Sequence, residues 1–439
     1  MKKISIYIAA SLLSLGAFAQ DDVYPAKAYN GLLFIKNATI HVGNGTVIQS
    51  GTIKVSNGKI EQVGSNLAIP SDDVKVVDAA GKHVYPGLIL SNCDLGLTEI
   101  GSGVRGSNDV SEIGDLNPSV RSIVAYNTDS KVIGVLRANG ILLAGVAPQG
   151  GIISGSSSVV QLDAWNWEDA AYKMENGIHF NMPSLMNRPN QFGGGGGGRG
   201  AGLSQEDPVK VGLEKVAAIK AFLKEAKAYA AEGNHDAVNL KYEAVKGLFG
   251  KQQKFFVHCD IVKEMLVAID FAKEFGFDVV IVGGSESYQV ADLLKQNNIA
   301  VILAQSHALP TAVDDDVDQP FKTPAMLQKA GVLFSINDGD ETTRYRNLAF
   351  NAGTAAAYGL TKEEALSAIT LNAAKILGVA DKTGSLEVGK DANIVISDGD
   401  ILDMRTNIIT NCFIQGRQVS LDNKQKQLYE RYKGKYGIK

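Results

Sequence analysis

Cysteine, tryptophan and excess positive charge are all scarce in this chain of 439 residues. It has three Cys and two Trp. Cys93, Cys259 and Cys412 cannot all pair, so at least one thiol is free and a disulfide-stapled scaffold is excluded. Isolated cysteines of this kind usually behave as small buried hydrophobes, and these three are expected to do so. Lys and Arg number 43 against 47 Asp and Glu, a formal net charge of -4. No basic stripe suggests a nucleic-acid partner. Past the first twenty residues, no apolar run approaches the ~20 residues of a membrane-spanning helix. What remains, 45% apolar and 21% charged, is an ordinary globular composition long enough for one large or two moderate domains.

The chain opens on Lys2-Lys3, an apolar run from Ile4 to Leu15, and Ala17-Phe18-Ala19 before Gln20. That pattern reads as a cleaved secretory signal over residues 1–19, predicting an exported protein, periplasmic or secreted. With Gln20 rather than cysteine next, a lipoprotein anchor is not expected. Losing Lys2 and Lys3 leaves 41 basic against 47 acidic residues, which favours a soluble product with no membrane partner.

Residues 29–85 alternate apolar and polar positions, with breaks at Asn37 and Gly43-Asn44-Gly45 and a hairpin signal at Ser56-Asn57-Gly58. The tail, 385–439, repeats the style in Ala392–Ile396 and Ile408–Ile414. Between them, residues 86–384 alternate short apolar runs with amphipathic helices. Strands are predicted at Leu88–Leu90, Ile141–Val146, Phe255–His258, Val279–Val282, Ala300–Leu303 and Val332–Ile336. Helices are predicted at Val211–Ala231, Lys263–Phe275, Tyr288–Gln296 and Thr361–Leu371. The fold class expected is α/β: a (β/α)8 TIM-like barrel beside a small discontinuous β-sandwich built from both termini. The glycine run Gly193–Gly198 suits a surface loop.

Three segments carry a family resemblance. Tyr85-Pro86-Gly87-Leu88-Ile89-Leu90-Ser91-Asn92-Cys93-Asp94 resembles the first barrel strand of the metal-dependent amidohydrolase superfamily. Val77–Gly87 looks like the approach to that strand. Ala368–Val379 with Gly384–Ala392 is similar to the family's closing helix and return to the sandwich. The branch it most resembles is the exported imidazolonepropionase- or dipeptidase-like one. The resemblance implies C–N bond hydrolysis on small cyclic or peptide-like amides with one or two divalent ions.

A bound divalent ion can lower the pKa of water from about 15.7 to about 7 and polarise the amide carbonyl. Two histidines at i and i+2 on strand one suit that task because alternate side chains share a face. Here those positions hold Asn92 and Asp94. Asp94 offers an oxygen ligand; Asn92 offers only a neutral amide oxygen. By the same resemblance His258 is the strand-five ligand, and Asp338 is the terminal acid that binds metal and acts as general base. Asp340 and Glu341 compete for that assignment. The expected ligand set is therefore Asn92, Asp94, His258 and Asp338, for one divalent ion, zinc or another, rather than a binuclear centre. Arg344 and Arg346 are candidates to clamp a substrate carboxylate, and His307 to face the mouth. His41, His83, His179 and His235 read as sandwich or loop residues. Gly155-Ser156-Ser157-Ser158 lacks the nucleophile elbow.

Two functions stay open. One is an exported hydrolase of small amide-like molecules with a reduced metal site. The other is an inactive amidohydrolase-like scaffold, as a homo-oligomer or paired with an intact amidohydrolase.

Overall fold

Two eight-stranded sheets organise the molecule. The computed structural model describes residues 24–65, 67–71, 74–99, 109–186, 207–310, 314–339 and 343–438. Residues 1–19, read above as a secretory signal, the glycine run 193–198, Asp340 and Glu341 lie outside them.

The first sheet begins with β1 (Leu32–His41), β2 (Val47–Ser56), β3 (Lys59–Ser65), β4 (Lys75–Asp78) and β5 (His83–Pro86). The barrel follows: β6 (Leu88–Cys93), β7 (Ile141–Val146), β8 (Ile153–Gln161), β9 (Ala171–Asn181), β10 (Lys254–Cys259), β11 (Val279–Gly283), β12 (Ala300–Leu303) and β13 (Phe334–Ile336). The chain then returns to the first sheet as β14 (Ile394–Ser397), β15 (Ile409–Ile414) and β16 (Arg417–Val419). The first sheet runs β16-β15-β14-β5-β1-β2-β3, with β4 also paired to β1. Its N- and C-terminal parts meet where Ile394 pairs with Pro86 and Ser397 with His83.

Local sequence explains the joints. β2 and β3 turn on Asn57 (φ 49°) and Gly58 (φ 77°), the left-handed pair of a two-residue hairpin. A Cβ on Gly58 would also meet the Gln415 carbonyl at 2.7 Å. On β1, Asn37 (φ 62°) sits at a register shift between Ile35 and Ala38. That bulge changes the alternation phase, so Leu33 and Ile35 before it and Ala38 and Ile40 after it enter the same apolar cluster. The cluster is separate from the larger core around the barrel.

The barrel follows the expected α/β plan with one departure. β8 runs antiparallel to both β7 and β9, while the other pairings around the barrel are parallel. No helix of a turn or more separates β7 from β8. The serine-rich stretch Ile153–Gln161 is buried throughout and gives weak strand signal, because serine is a poor strand former. Its hydroxyls are satisfied internally: Ser157 Oγ donates to Asn176 Oδ1 at 2.9 Å and Ser156 Oγ to the Val120 carbonyl at 3.2 Å.

β13 and β6 close the barrel through side chains rather than a backbone ladder. Asn337 Oδ1 accepts from the Ser91 amide (3.0 Å) and the Asn92 amide (3.2 Å), and Nδ2 donates to the Asn92 carbonyl at 2.7 Å. Ser91 Oγ donates to Ser335 Oγ at 3.0 Å. Asn337 thus stands in for a strand backbone in a buried seam. Asn337→Ala strands three backbone groups and is expected to cost about 2–4 kcal/mol. Thermal melts together with amide exchange at Ser91 and Asn92 check this; unchanged protection of those amides would refute the role.

Candidate active site in the barrel mouth

A cavity of about 530 Å³ opens where the parallel barrel strands end. Asn92, Gln149, Asn181, His258, Asp260, Glu264 and Asn337 are among its polar lining, and no Lys or Arg side chain is among the described lining residues. This is the end of a parallel barrel where binding and catalytic groups usually gather.

His258 lies on β10, where Phe256 and His258 share the inner face while Phe255 and Phe271 pack against each other, ring centroids 5.3 Å apart, on the helix side. Beneath it stands His179, whose Nδ1 is 2.8 Å from His258 Nε2. The His179 ring stacks on Phe256 at 4.7 Å and is 2% exposed. His179 therefore belongs to the barrel interior, not to a sandwich or loop as its sequence context suggests. The signal that locates it is the alternation in Ile178-His179-Phe180-Asn181, where β9 pairs in register with β10.

Burial holds both imidazoles neutral. It pushes His258 down to about 4, with Asp260 pulling weakly the other way. It holds His179 well below the usual histidine range, with His258 adding to the effect. In the unfolded chain both titrate near 6.5. On acidification the unfolded state therefore binds protons first, and the stability the pair contributes is full above about pH 6.5 and lost as pH falls towards 4. Urea midpoints are expected to drop between pH 7.5 and 5, by less in a His179→Phe/His258→Phe double variant; equal drops in both proteins would refute a neutral pair.

Two of the other expected ligands, Asp94 and Asp338, do not join His258 in the cavity. Asp94 accepts a short hydrogen bond from the Tyr345 hydroxyl, and its amide donates to the same oxygen at 3.3 Å. Asp338 is 1% exposed, and its Oδ2 accepts from Asn351 Nδ2 at 3.0 Å. Neither lines the cavity; the neighbours Asn337 and Gly339 do. Asn92 does line it, with Oδ1 buried and lacking a hydrogen-bond partner. Among the described residues, no three His, Cys, Asp or Glu side chains come together to hold an ion. With His258 Nε2 turned towards His179, the described residues do not gather Asp94, His258 and Asp338, the ionisable ligands expected from the resemblance, around one point.

The substrate-clamp candidates also lie off the cavity. His307 Nε2 pairs with Thr354 Oγ1 at 2.7 Å, its amide donates to Asn351 Oδ1, and its carbonyl accepts from Arg344 Nη2 at 3.3 Å. Arg346 is exposed on the turn Tyr345–Asn347. His41 and His83 lie on β1 and β5, 3.0 Å apart from Nε2 to Nδ1, and His235 stacks on Tyr229 at 3.4 Å. All three cysteines are buried and unpaired, and burial pushes the Cys412 thiol up to about 12, so none is a ready nucleophile.

Comparison with known proteins fits this architecture. A family model described as "Amidohydrolase family" matches residues 200–419. The chain is 21% identical over 385 residues to Amidohydrolase tasK of Hapsidospora irregularis, covering 80% of this chain and 38% of that protein. It is 53% identical over 86 residues to the imidazolonepropionase of Thermoplasma volcanium, 19% of this chain and 21% of that one. The matches thus span well under half the length of these relatives. Among solved structures, an amidohydrolase from Thermotoga maritima aligns over 88% of this chain and 99% of its own, with TM-score 0.75 and 26% identity. A Xaa-Pro dipeptidase with bound methionine shares the fold at TM-score 0.53 and 14% identity. Members of this superfamily commonly bind divalent metal. With the matched segment covering half of the 439 residues and running from before β10 to the end of β16, the chain belongs to the amidohydrolase family.

Proposed function

We propose that this protein hydrolyses the C–N bond of a small, uncharged or cationic amide-like molecule seated in the barrel mouth, with His258 as the proton-transfer group. The observation that carries the reading is the His179–His258 pair set against a 530 Å³ cavity walled by side-chain amides and carboxylates. Asn92, whose Oδ1 is buried without a hydrogen-bond partner, and Asn181 offer polar groups to an amide, while the Asn337 amide is taken up by the β13–β6 seam. The acids Asp260 and Glu264, with no cation in the described lining, disfavour anionic ligands. His258 is neutral at pH 7 and able to take a proton from water; His179 holds one of its ring nitrogens and so orients the other.

An acid–base group alone recovers about 10²–10⁴ in rate. Metal activation of water would supply up to ~10⁸, taking the pKa difference at face value. Slow turnover is therefore expected. The unmatched donor set favours a second reading, a scaffold that binds such a ligand without cleaving it. The test is a panel of N-acyl amino acids, dipeptides and cyclic imides incubated with the protein before and after chelation. Turnover of a panel member that survives chelation supports the hydrolase. Tight binding with no turnover assigns the scaffold. Activity lost on chelation and restored by zinc would refute the metal-free reading.

A further inference from the structure

The thirteen-residue helix Lys424–Tyr436 buries none of its side chains. Its start is seated on the helix Lys131–Arg137, where a Cβ on Gly134 would meet the Asp422 carbonyl at 3.0 Å. Beyond that foothold it presents Tyr429, Tyr432 and Tyr436, which are 61%, 44% and 67% exposed. At i, i+3 and i+7 these three form one ridge. Helical periodicity places Lys426 and Lys433 on one side of the ridge and Lys435 on the other, with Lys424, Glu430 and Arg431 further round the back. The cations engage the rings: the Arg431 guanidinium is 5.3 Å from the Tyr432 centroid, and Lys435 Nζ is 5.3 Å from that of Tyr436.

Charge is partitioned as sharply. The helix holds five cations and one acid, net +4, leaving 38 Lys and Arg against 46 Asp and Glu elsewhere, net -8. The complementary surface is therefore anionic. An aromatic ridge flanked on both sides by lysine decides which kind. Protein interfaces enrich tyrosine but deplete lysine. At a lipid headgroup boundary, lysine stems lie along apolar surface while the ammonium stays wet, and tyrosine rings sit at headgroup depth.

We propose that Lys424–Tyr436 is an interfacial anchor that lays this protein on an anionic lipid surface. No helix among the described residues is long and apolar enough to cross a membrane, so the contact is peripheral. It departs from the expectation of no membrane partner, because an anchor of this kind needs no hydrophobic run. The acidic remainder opposes it little at physiological salt, where charges beyond about 8 Å are screened.

Sedimentation of the full chain with vesicles tests the assignment, using phosphatidylcholine alone or mixed with phosphatidylglycerol. Binding to the mixed vesicles at low salt is expected, with partition falling at high salt. Each Lys→Gln change at 424, 426, 433 or 435 should weaken partition about fivefold. Tyr429→Ala/Tyr432→Ala/Tyr436→Ala should abolish it with an unchanged thermal midpoint, since these side chains are not buried. Failure to bind the mixed vesicles, or equal binding to phosphatidylcholine alone, overturns the proposal. So does a lipid-free dimer, or tight single-stranded DNA binding, that the same variants remove.

Discussion

Asp163→Ala is expected to lower unfolding free energy by about 3–5 kcal/mol, the usual cost of removing one partner from a buried ion pair. Asp163 is 3% exposed. Its Oδ1 accepts from Arg137 Nη1 at 2.5 Å, and its Oδ2 from the Ala26 amide at 2.9 Å and Arg417 Nη1 at 3.3 Å. One carboxylate thus ties the segment before β1, the helix Lys131–Arg137 and edge strand β16 to the barrel. The two arginine side chains are only 8% and 14% exposed, and burial already pushes the Arg137 guanidinium down while Asp163 holds it up. Without the carboxylate, Arg137 is left buried with no counter-ion; Arg417 keeps Gln161 Oε1 at 2.7 Å. Urea unfolding measures the loss. The double change Arg137→Met/Asp163→Leu should recover much of it, because an apolar pair removes the desolvation penalty together with the attraction. A loss under about 1 kcal/mol in the single variant would show that the network is not structurally required.

His258→Ala is expected to reduce kcat/KM for any turned-over amide by about 10²–10⁴, the range of a single proton-transfer group. The fold should survive, because the side chain borders the cavity and its truncation leaves no sealed void. Asp338→Ala is the informative contrast. Asp338 is buried against Asn351, so its removal should act on stability more than on kcat. His179→Gln keeps a polar partner under His258, and His179→Phe does not. Activity lower in the phenylalanine variant than in the glutamine variant assigns His179 a positioning role. Full activity in His258→Ala would remove the basis for the hydrolase reading.

Much of the fold was legible because periodicity is a local property. Ile141–Val146 and Ala300–Leu303 were delimited from their apolar runs alone, and Asn57-Gly58 named its own turn. β8 was not legible: its four-residue core Gly155–Ser158 has neither strand propensity nor alternation, and it is a strand only because β7 and β9 flank it. The site divides the same way. The family resemblance put His258 and Asn92 in the mouth, where both line the cavity. The same resemblance made Asp94 and Asp338 their companions, yet each is occupied by a partner distant in sequence or on another element, Tyr345 and Asn351.

The linear chain determined six of the eight barrel strands, β8 and β9 being the exceptions, and the family to which they add up, since those follow from side-chain order along a strand. Only the folded structure decided who meets whom: His179 under His258, Asn337 bridging the β13–β6 seam, and Asp163 between two arginines. Those contacts join residues from 26 to 254 positions apart, and no local pattern encodes a distance that chain closure alone sets.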